Sequence, residues 1–425
     1  MNNTTIKIND ASYRYRLLLR ISKKFAHKAI FMVLCQHMVK KQAKKKMKIA
    51  IIAGSRGEWG YYLPVIREIE RHPNLDYGII VSNMHLLDRF GSSIDEIRRD
   101  GFKIDAVVHN TLDGYSRLTM AKSLSIFMLQ LPEILQGMQA DYVLIGGDRG
   151  EQLMAAVVGA HLYLPVGHIQ AGEVSGNIDG VTRHAITKFA HMHFAANEDA
   201  ARRLLKMGEE PFRVRNVGAP QLDDLLSGKI TPKKDLYKKL GIPDNGKPLI
   251  IIVQHPVTEE FERAGKHMVE TLEAVKQFDA NVVIIMNNSD AGGSLVTQAI
   301  HEFRTPSMKV FPSMAREDYA GLMASADVLV GNSSSGILEA PSFKLPAVNI
   351  GNRQRGRLRG KNVINVGPSR KEIQKAITKT LSKEFKRSLK NCVNPYGDGK
   401  SAKRIVDIIA QTPVDEALLV KKIMY

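Results

Sequence analysis

A serine-rich stretch in the second half of the chain carries residue types suited to binding an anion. The sequence GNSSSGILEAPSFKLPAVNIGNRQRGR, residues 331–357, follows an apolar run and becomes rich in arginine toward its end. The first N–H groups of a helix lack intrahelical partners and carry partial positive charge, so a phosphate would fit beside these serines. Asn and Ser also favour helix caps for their own hydrogen bonds. The segment alone therefore leaves open an anion site or an ordinary N-cap.

A second cluster mixes acids, bases and a histidine within a short stretch. The sequence HIQAGEVSGNIDGVTRHAITK, residues 168–188, contains Glu173 and Asp179, followed by Arg183 and His184. This mixture suits proton transfer beside an anion, because a positioned base needs a cation nearby to stabilise the charge that develops. A solvated loop leading into a helix is the alternative, since acids also favour the first helical turn.

Polar residues follow other apolar runs in the same way. Asp148 and Arg149 come after LIGG, Gln170 comes after LPVGHI, and His255 comes after IIIVQ. The first glycine-rich turn, AGSRGEWG, does not match G-x-G-x-x-G, and no Walker pattern occurs in the chain. The sequence therefore does not indicate a nicotinamide or ATP-loop site.

These segments need a scaffold that brings the ends of several strands together. From Lys48 onward, short apolar runs alternate with amphipathic stretches, as in KIAIIAG followed by YYLPVIREIERH. This alternation predicts a parallel sheet covered on both faces, the doubly wound α/β arrangement. After the turn-rich GIPDNGKP the alternation restarts with LIIIVQHP, so we expect a second such domain, with a boundary near residues 220–245. Ligands bind outside the carboxyl ends of such strands, so we expect the site in a cleft between the domains.

Length, charge and cysteine content narrow the class of protein. The chain of 425 residues exceeds the ~250–300 residues at which single cores usually stop growing. Much of the net charge of +18 lies in residues 1–46, which hold 12 of the 61 Lys and Arg residues but only one of the 43 acids. A nucleic-acid-binding protein would instead need basic and aromatic residues on a folded face. The two cysteines support neither a disulfide framework nor a zinc site, so we predict a cytoplasmic location.

Together, these motifs resemble the hydrolysing UDP-N-acetylglucosamine 2-epimerases. The similarity is carried, in order, by GSRGEWG, SNMHLLDRFG, GGDRGEQL, HIQAGEVSGNIDGVTRHAITK, VQHPVTEE, NSDAGG and GNSSSGILEAPSF…NIGNRQRGR, from about Lys48 to about Val366. The resemblance implies a glycosyltransferase-B-like fold of two Rossmann-like domains. It further implies conversion of UDP-N-acetylglucosamine to N-acetylmannosamine and UDP through a 2-acetamidoglucal intermediate, for the synthesis of sialic-type acids.

The resemblance also assigns roles to residues at the motif positions. The implied catalytic residues are Asp148, Glu173, Asp179, Arg183 and His255. The implied contacts to the UDP-sugar are Arg56, His85, Arg149, Gln170, Ser333, Ser334, Ser335, Gly336, Glu339 and Arg353. Among these contacts, the resemblance places Ser333, Ser334 and Arg353 at diphosphate positions. It places Glu339 at a ribose position. No metal and no cofactor are expected, because arginines and a helix end already supply positive charge.

Gln170 departs from the family pattern, which often has Glu at this position. A neutral amide cannot act as a base, so either Asp179 or Glu173 takes the C2 proton, or Gln170 marks a subgroup with a modified sugar. The alternatives within this fold are a hydrolysing enzyme for UDP-2,4-diacetamido-2,4,6-trideoxyglucose of the legionaminic acid pathway and a non-hydrolysing 2-epimerase.

We expect four segments along the chain. They are a basic, disordered extension (1–46), an N-terminal Rossmann-like domain (47–225), a C-terminal Rossmann-like UDP-binding domain (226–411) and a tail (412–425). The apolar run AIFMVLCQHMV in the extension is too short to span a membrane, and no signal-peptide cleavage site follows it. The extension is interpreted as an upstream start or a disordered segment, with a membrane-surface segment as the alternative. We expect no nucleic-acid partner, no stable membrane insertion and a homo-oligomer, either a dimer or a tetramer.

Overall fold

A computed structural model describes most of the chain. The described residues are 46–87, 93–112, 117–174, 178–228, 230–287 and 292–424, without the side chains of Arg56, Arg117, Ser227, Thr258 and Glu259. The expected disorder of residues 1–46 concerns a segment that, apart from Lys46, lies outside the described residues.

The first half of the chain forms a seven-stranded parallel sheet. Its strands are β1 (Met47–Ala53), β2 (Leu75–Ser82), β3 (Ile104–Val108), β4 (Tyr142–Gly146), β5 (Val166–Ala171), β6 (Met192–Ala195) and β7 (Val214–Asn216). Their spatial order is β3-β2-β1-β4-β5-β6-β7. The direction of winding therefore reverses between β1 and β4, which is where ligands bind in doubly wound sheets.

Helices cover both faces of this sheet because its central strands are buried on both sides. They are α1 (Arg56–Arg71), α2 (Ile94–Arg99), α3 (Arg117–Gly137), α4 (Gly150–His161), α5 (Ile178–Phe189) and α6 (Glu198–Lys206). Tyr62 and Ile66 of α1 lie in the core on one face, and Phe127 and Leu131 of α3 lie in the core on the other.

The second half repeats this architecture with six parallel strands. They are β8 (Leu249–Val253), β9 (Asn281–Ile285), β10 (Lys309–Phe311), β11 (Val328–Gly331), β12 (Ala347–Ile350) and β13 (Val363–Val366), in the order β10-β9-β8-β11-β12-β13. The helices are α7 (Gln221–Ser227), α8 (Lys233–Leu240), α9 (Ala264–Val275), α10 (Gly293–Phe303), α11 (Arg316–Ser325), α12 (Ser335–Leu338), α13 (Arg370–Leu381) and α14 (Lys383–Ser388). The predicted α/β class with two Rossmann-like sheets is confirmed.

The end of the chain returns to the first half. Helix α15 (Ser401–Gln411) contributes Ile405 and Ile409 to the core that contains Tyr62. The short helix α16 (Glu416–Leu419) follows, and the buried Arg213 donates hydrogen bonds to the carbonyl oxygens of Leu418 at 2.6 Å and Ala417 at 2.8 Å. The proposed division at residues 225 and 411 stays a prediction, although α15 packs with the first half.

Strand register aligns the segments that follow the strands. In the first sheet Gly146 at the end of β4 pairs with Ile169 of β5, next to Gln170. In the second sheet Gly331 at the end of β11 pairs with Val253 at the end of β8. Asp148, Gln170 and His255 therefore lie at or just after the carboxyl ends of their strands.

Candidate active site

A buried ion pair joins two of the expected catalytic residues. Arg183 on α5 is 3% exposed and donates from Nη2 to Oδ2 of Asp148, which follows β4. Its Nη1 donates to the backbone oxygen of Gln170 at 2.7 Å. Burial lowers the pKa of Arg183, but neighbouring groups, of which the Asp148 carboxylate has the largest effect, together outweigh burial and raise it. The guanidinium thus stays charged and connects the ends of β4 and β5.

Gln170 occupies a strained backbone position at the end of β5. Its φ of 64° lies in the left-handed region, which a non-glycine residue adopts only when the surroundings enforce it. The side chain is 4% exposed, and its Nε2 donates to Oε1 of Gln221 at 3.1 Å. The residue that departs from the family pattern is therefore fixed by contacts on both its backbone and its side chain.

Glu173 is held by residues from both halves of the chain. It is 4% exposed and accepts a hydrogen bond on Oε1 from Nδ2 of Asn197. From the second half, Nε of Arg357 lies 4.0 Å from Oε2 of Glu173 and donates to the backbone oxygen of Val174 at 3.4 Å. The segment that follows, residues 175–177, lies outside the described part of the chain. Arg357 thus brings the arginine-rich loop of the second half to the acidic cluster of the first.

Asp179 lies in the first turn of α5 and is partly exposed. It belongs to a group of carboxylates around Arg149, which precedes α4. Burial lowers the pKa of Arg149, but nearby carboxylates outweigh burial and raise it. In order of effect these are Glu151, Glu58, Asp179 and Asp148. Asp179 is therefore one of several carboxylates within electrostatic range of Arg149.

Glu58 is a buried carboxylate that is not among the residues expected from the sequence. It lies in the first turn of α1, is 3% exposed, and accepts a hydrogen bond from the N–H of Gly54 at 2.7 Å. Burial, partly offset by Arg149, raises the pKa of Glu58 from 4.5 to about 8. The only sequence signal was its place in GSRGEWG, where an acid at a helix start has an ordinary explanation.

In the second half, His255 and Asn332 join the ends of β8 and β11. The N–H of His255 donates to Oδ1 of Asn332 at 2.7 Å, and Nδ2 of Asn332 donates to the backbone oxygen of His255 at 2.8 Å. Burial, assisted by Arg353, lowers the pKa of His255 to about 3. The imidazole is therefore neutral near pH 7.

The three serines after β11 are not equivalent. Ser335 donates from its hydroxyl to Ser333 at 3.0 Å and accepts from the hydroxyl of Tyr319 at 2.7 Å. Ser334 caps α12, yet among the described residues its hydroxyl has no hydrogen-bond partner. The three hydroxyls lie at the start of a helix, as expected, but Ser335–Leu338 is only four residues long. Its dipole is correspondingly small, so an anion here would depend on N–H and hydroxyl donors.

Gly331, directly before these serines, has no room for a side chain. Its φ is 137°, and a Cβ atom there would lie 2.1 Å from the backbone oxygen of Val253. That oxygen accepts hydrogen bonds from the N–H groups of Asn332 and Ser333 at 3.2 and 3.3 Å. The serine loop is thus tied to the end of β8 through the backbone.

Three other expected contact residues lie around this loop. Arg353 donates from Nη1 to the backbone oxygen of Asn332 at 3.3 Å, beside the serines. Glu339, directly after α12, has its pKa raised to about 7 by burial, against the effect of Arg316. Gly336 in α12 is buried, and its Cβ would come within 3.3 Å of Ala347.

The two remaining expected residues belong to the first half. His85 is fully buried, and its Nδ1 lies 2.8 Å from the hydroxyl of Ser93. Arg56 begins α1, and its side chain lies outside the described part of the structure. Within the described ranges, no group of three or more His, Cys, Asp or Glu side chains is placed to hold a metal ion.

Known sequences and structures are similar to this chain over most of its length. Residues 67–410 match the family described as UDP-N-acetylglucosamine 2-epimerase. A relative from Legionella pneumophila, UDP-N,N'-diacetylbacillosamine 2-epimerase (hydrolyzing), is 34% identical over 88% of this chain and 98% of its own. A Campylobacter jejuni relative, GDP/UDP-N,N'-diacetylbacillosamine 2-epimerase (hydrolyzing), is 34% identical over 81% of this chain and 90% of its own.

A third relative and a solved structure both come from Neisseria meningitidis. UDP-N-acetylglucosamine 2-epimerase of serogroup B is 31% identical over 79% of this chain and 88% of its own. A crystal structure of UDP-GlcNAc 2-epimerase bound to UDP-GlcNAc matches with a TM-score of 0.75 at 21% identity, covering 86% of this chain and 100% of that chain. The structural match supports the glycosyltransferase-B-like arrangement of the two sheets. From the length of these matches, the chain belongs to the UDP-N-acetylglucosamine 2-epimerase family.

Proposed function

We propose that the protein is a hydrolysing 2-epimerase that converts a UDP-linked 2-acetamido sugar to the free 2-epimer and UDP. The observation that carries this proposal is the contact of Arg357 with Glu173 and Val174. It connects a half rich in carboxylates with a half rich in neutral and cationic donors. A reaction that removes a proton from one atom while an anionic group leaves the next atom needs both sets in one place.

The reaction has two stages whose atoms balance. In the first, a carboxylate takes the C2 proton, the C–H electron pair forms the C1–C2 double bond, and UDP leaves with the electrons of the C1–O bond. In the second, water supplies a hydroxyl group to C1 of the resulting glucal, and a proton reaches C2 from the opposite side. The products are UDP and a sugar with inverted configuration at C2.

We assign the C2 base to Asp179 rather than Glu173. Glu173 is nearly fully buried and already engaged by Asn197 and Arg357, whereas Asp179 is partly exposed at the start of α5. Asp148 is paired with Arg183 and positions that guanidinium beside the leaving group. This assignment gives each carboxylate a different task.

We place the diphosphate at the serine loop. The Ser334 hydroxyl has no hydrogen-bond partner among the described residues. Arg353 donates a hydrogen bond to the backbone oxygen of the adjoining Asn332. A neutral His255 can donate an N–H to a phosphate oxygen without carrying charge. Glu339 would then bind the ribose hydroxyls, and Arg56 would contact the nucleotide.

Two sugars are candidates for the substrate. The family resemblance implies UDP-N-acetylglucosamine, which is also the sugar in the name of a relative of 31% identity. The two relatives at 34% identity are named for UDP-N,N'-diacetylbacillosamine, a 2,4-diacetamido sugar. Their higher identity favours the diacetamido sugar, and the free 2-epimer would enter the synthesis of a legionaminic-type acid. We further propose a cytoplasmic homo-oligomer.

NMR analysis of the products tests this proposal. Purified protein is incubated with each UDP-sugar in turn, with and without EDTA, and phosphorus and proton spectra are followed. We expect free UDP and a free 2-epimerised sugar, produced faster from the diacetamido substrate, and unchanged turnover in EDTA. A UDP-linked epimer as the sole product would identify a non-hydrolysing enzyme, and loss of turnover in EDTA that zinc or magnesium restores would contradict a metal-free site.

A further inference from the structure

The C-terminal end of helix α5 is capped by a lysine from the end of the chain. The last carbonyl groups of a helix have no partner within the helix. In α5, Nζ of Lys421 donates to the backbone oxygens of Thr187 at 2.6 Å and Lys188 at 3.4 Å. It also donates to the backbone oxygen of Ala190, just after the helix, at 2.7 Å. A cation is favourable there, because the helix dipole leaves negative partial charge at the C-terminus.

Glu209 balances the charge of this lysine and also holds the last turn of α5. Its side chain is 2% exposed, and its Oε2 lies 2.7 Å from Nζ of Lys421. Its Oε1 accepts from Nζ of Lys188, in the last turn of α5, at 3.0 Å. Nε2 of His193 lies 2.8 Å from Oε2 of the same carboxylate. A buried ion pair needs such additional hydrogen bonds, so Lys421 is held in one place, unlike a solvated surface lysine.

The tail that carries Lys421 is itself bound through its backbone. Arg213 donates to the backbone oxygen of Val420 at 3.2 Å, as well as to carbonyl groups of α16. The N–H of Met424 donates to the backbone oxygen of Gly208 at 2.9 Å. The φ of Gly208 is 84°, and a Cβ atom there would lie 2.8 Å from the backbone oxygen of Met424. The tail is therefore fixed on both sides of Lys421, and its close approach requires glycine at position 208.

Helix α5 depends on its capped end because its first turn is sparsely packed. Ile178 is 68% exposed and Val181 is 65% exposed, whereas Ile186 is fully buried in the core of the first sheet. The two site residues of this helix, Asp179 and Arg183, both lie on the N-terminal side of that buried residue. Asp179 is about 12 Å from the first capped carbonyl, at a rise of 1.5 Å per residue. A shift of α5 at its last turn would therefore also move its first turn.

We propose that Lys421 is a positioning residue, which by capping α5 holds Asp179 and Arg183 in place in the active site. This inference rests on the proposed function, in which Asp179 takes the C2 proton and Arg183 lies beside the leaving group. Lys421 acts through the helix and not on the substrate. A distant substitution that misplaces a reacting group by about 1 Å can lower a rate about 10²-fold. Loss of the cap should therefore lower kcat, and it should leave the affinity for UDP, which is placed in the second half, unchanged.

The charge of Lys421 makes the cap dependent on pH. Burial, partly offset by Glu209, lowers the pKa of Lys421 to about 8. As pH rises through this value, the amine keeps two of its three N–H donors and no longer pairs with the carboxylate. The other charged or titratable groups that face it are Glu209, Lys188, Arg213, His191 and His193. Burial lowers the pKa of both histidines to about 4, so neither changes its charge between pH 7 and pH 9.

Kinetics of full-length variants with the preferred UDP-sugar test this role. Lys421→Met should lower kcat about tenfold or more at pH 7, while the Kd for UDP, measured by calorimetry, stays within twofold of wild type. Lys421→Arg keeps the charge and should recover part of the lost turnover. The ratio of wild-type kcat to Lys421→Met kcat should fall between pH 7 and pH 9, because the wild type loses the charged cap in this range. Lys422→Met is the control, because Lys422 is the neighbouring, exposed lysine.

Hydrogen exchange of α5, followed by mass spectrometry without substrate, gives a second measurement. Exchange should be faster in Lys421→Met than in the wild type or Lys422→Met. Circular dichroism shows whether Lys421→Met is folded; if it is not, Lys421→Gln, which also lacks the charge, is measured in its place. Unchanged α5 exchange, or a kcat ratio that stays constant with pH, would overturn the role of Lys421 in an active enzyme. A wild type that turns over no UDP-sugar would overturn the proposed function together with this role.

Discussion

The two halves of the molecule share one architecture but present different chemistry at their strand ends. In the first half, most candidate side chains are charged, and Arg183 holds Asp148. In the second half they are mainly hydroxyls, amides and backbone groups, and the one histidine is neutral. Similar scaffolds thus carry two complementary sets of groups.

This difference implies a division of labour that single substitutions can separate. Burial and a charged partner shift the pKa of a side chain, which suits a residue that must gain or lose a proton during the reaction. Neutral donors fixed by the backbone suit a group that must stay charged and be released, such as a diphosphate. Changes in the first half should therefore alter turnover, and changes in the second half should alter nucleotide affinity.

The largest effect is expected at Asp179. Changing Asp179 to Asn preserves shape but removes the assigned base, so turnover should fall by roughly 10²–10⁴-fold, while UDP affinity stays near that of the wild type. Deuterium exchange at sugar C2 measures the proton transfer, and titration calorimetry measures UDP binding. Asp235→Asn is the control, because Asp235 also lies in the first turn of a helix, α8, but is not one of the site residues.

Two outcomes would contradict the proposed separation of turnover from nucleotide affinity at this position. If Asp179→Asn exchanges deuterium at the wild-type rate, the base is another residue, and Glu173 or His255 becomes the one to examine. If the variant loses UDP binding instead, the carboxylates and the nucleotide site are not separable.

A smaller effect is expected at Ser334. Removing its hydroxyl with Ser334→Ala takes away one donor to the anion, and a charge-assisted hydrogen bond is worth about 1.5–3 kcal/mol. The Kd for UDP should therefore rise about tenfold to a hundredfold. Ser335→Ala is the comparison, because that hydroxyl already bonds Ser333 and Tyr319 and should affect UDP less. Equal losses in both variants would argue against a special role for Ser334.

A third prediction concerns the pH dependence of stability at Glu58. The unfolded carboxyl loses its proton near 4.5, whereas burial raises the folded pKa to about 8. Between these values the folded state holds one more proton, so this group makes the protein less stable as pH rises from about 5 to 8. Glu58→Gln removes the titration.

Thermal unfolding of wild type and variant across this range measures the effect. The difference in Tm between Glu58→Gln and wild type should grow in favour of the variant from pH 5 to pH 8 and then level off. Glu262→Gln, at an exposed position in the second half, serves as the control and should show no such trend. A constant difference for Glu58→Gln would mean that Glu58 does not stay protonated in the folded protein.

The smallest effect is expected from removing residues 1–46. All the family motifs follow Met47, where β1 begins, so the shortened protein should keep its kcat within about twofold. Steady-state kinetics and thermal unfolding of the two forms measure this directly. Failure to fold, or loss of most activity, would make the extension part of the enzyme.

The fold was predictable from the sequence because buried parallel strands appear as short, continuous apolar runs. Runs such as LIIIV and VLVG match β8 and β11, and the restart after GIPDNGKP marks the second sheet. The return of α15 to the first core was not predictable, because its apolar face would fit a core in either half. Helix α12, after the serines, is only four residues long, because Pro341 soon follows and cannot continue it.

Site positions were easier to predict than site environments. Motif spacing predicted that Asp148, Gln170 and His255 lie where strands end: Asp148 and His255 follow β4 and β8, and Gln170 lies within the last two residues of β5. It could not predict that Glu58 loses contact with solvent, or that Arg357 reaches Glu173, because these depend on side chains far apart in sequence. The roles assigned to the site residues stay predictions until the variants above are measured.

The return of the last helix to the first half has a consequence for synthesis of the protein. Domains usually fold as units while the chain emerges, N-terminal first. Here the core around Tyr62 also needs Ile405 and Ile409, and Arg213 needs the carbonyls of residues 417 and 418. We therefore expect the first half to stay incompletely packed until nearly the whole chain has left the ribosome. The part of the enzyme that is made first is among the last to be finished.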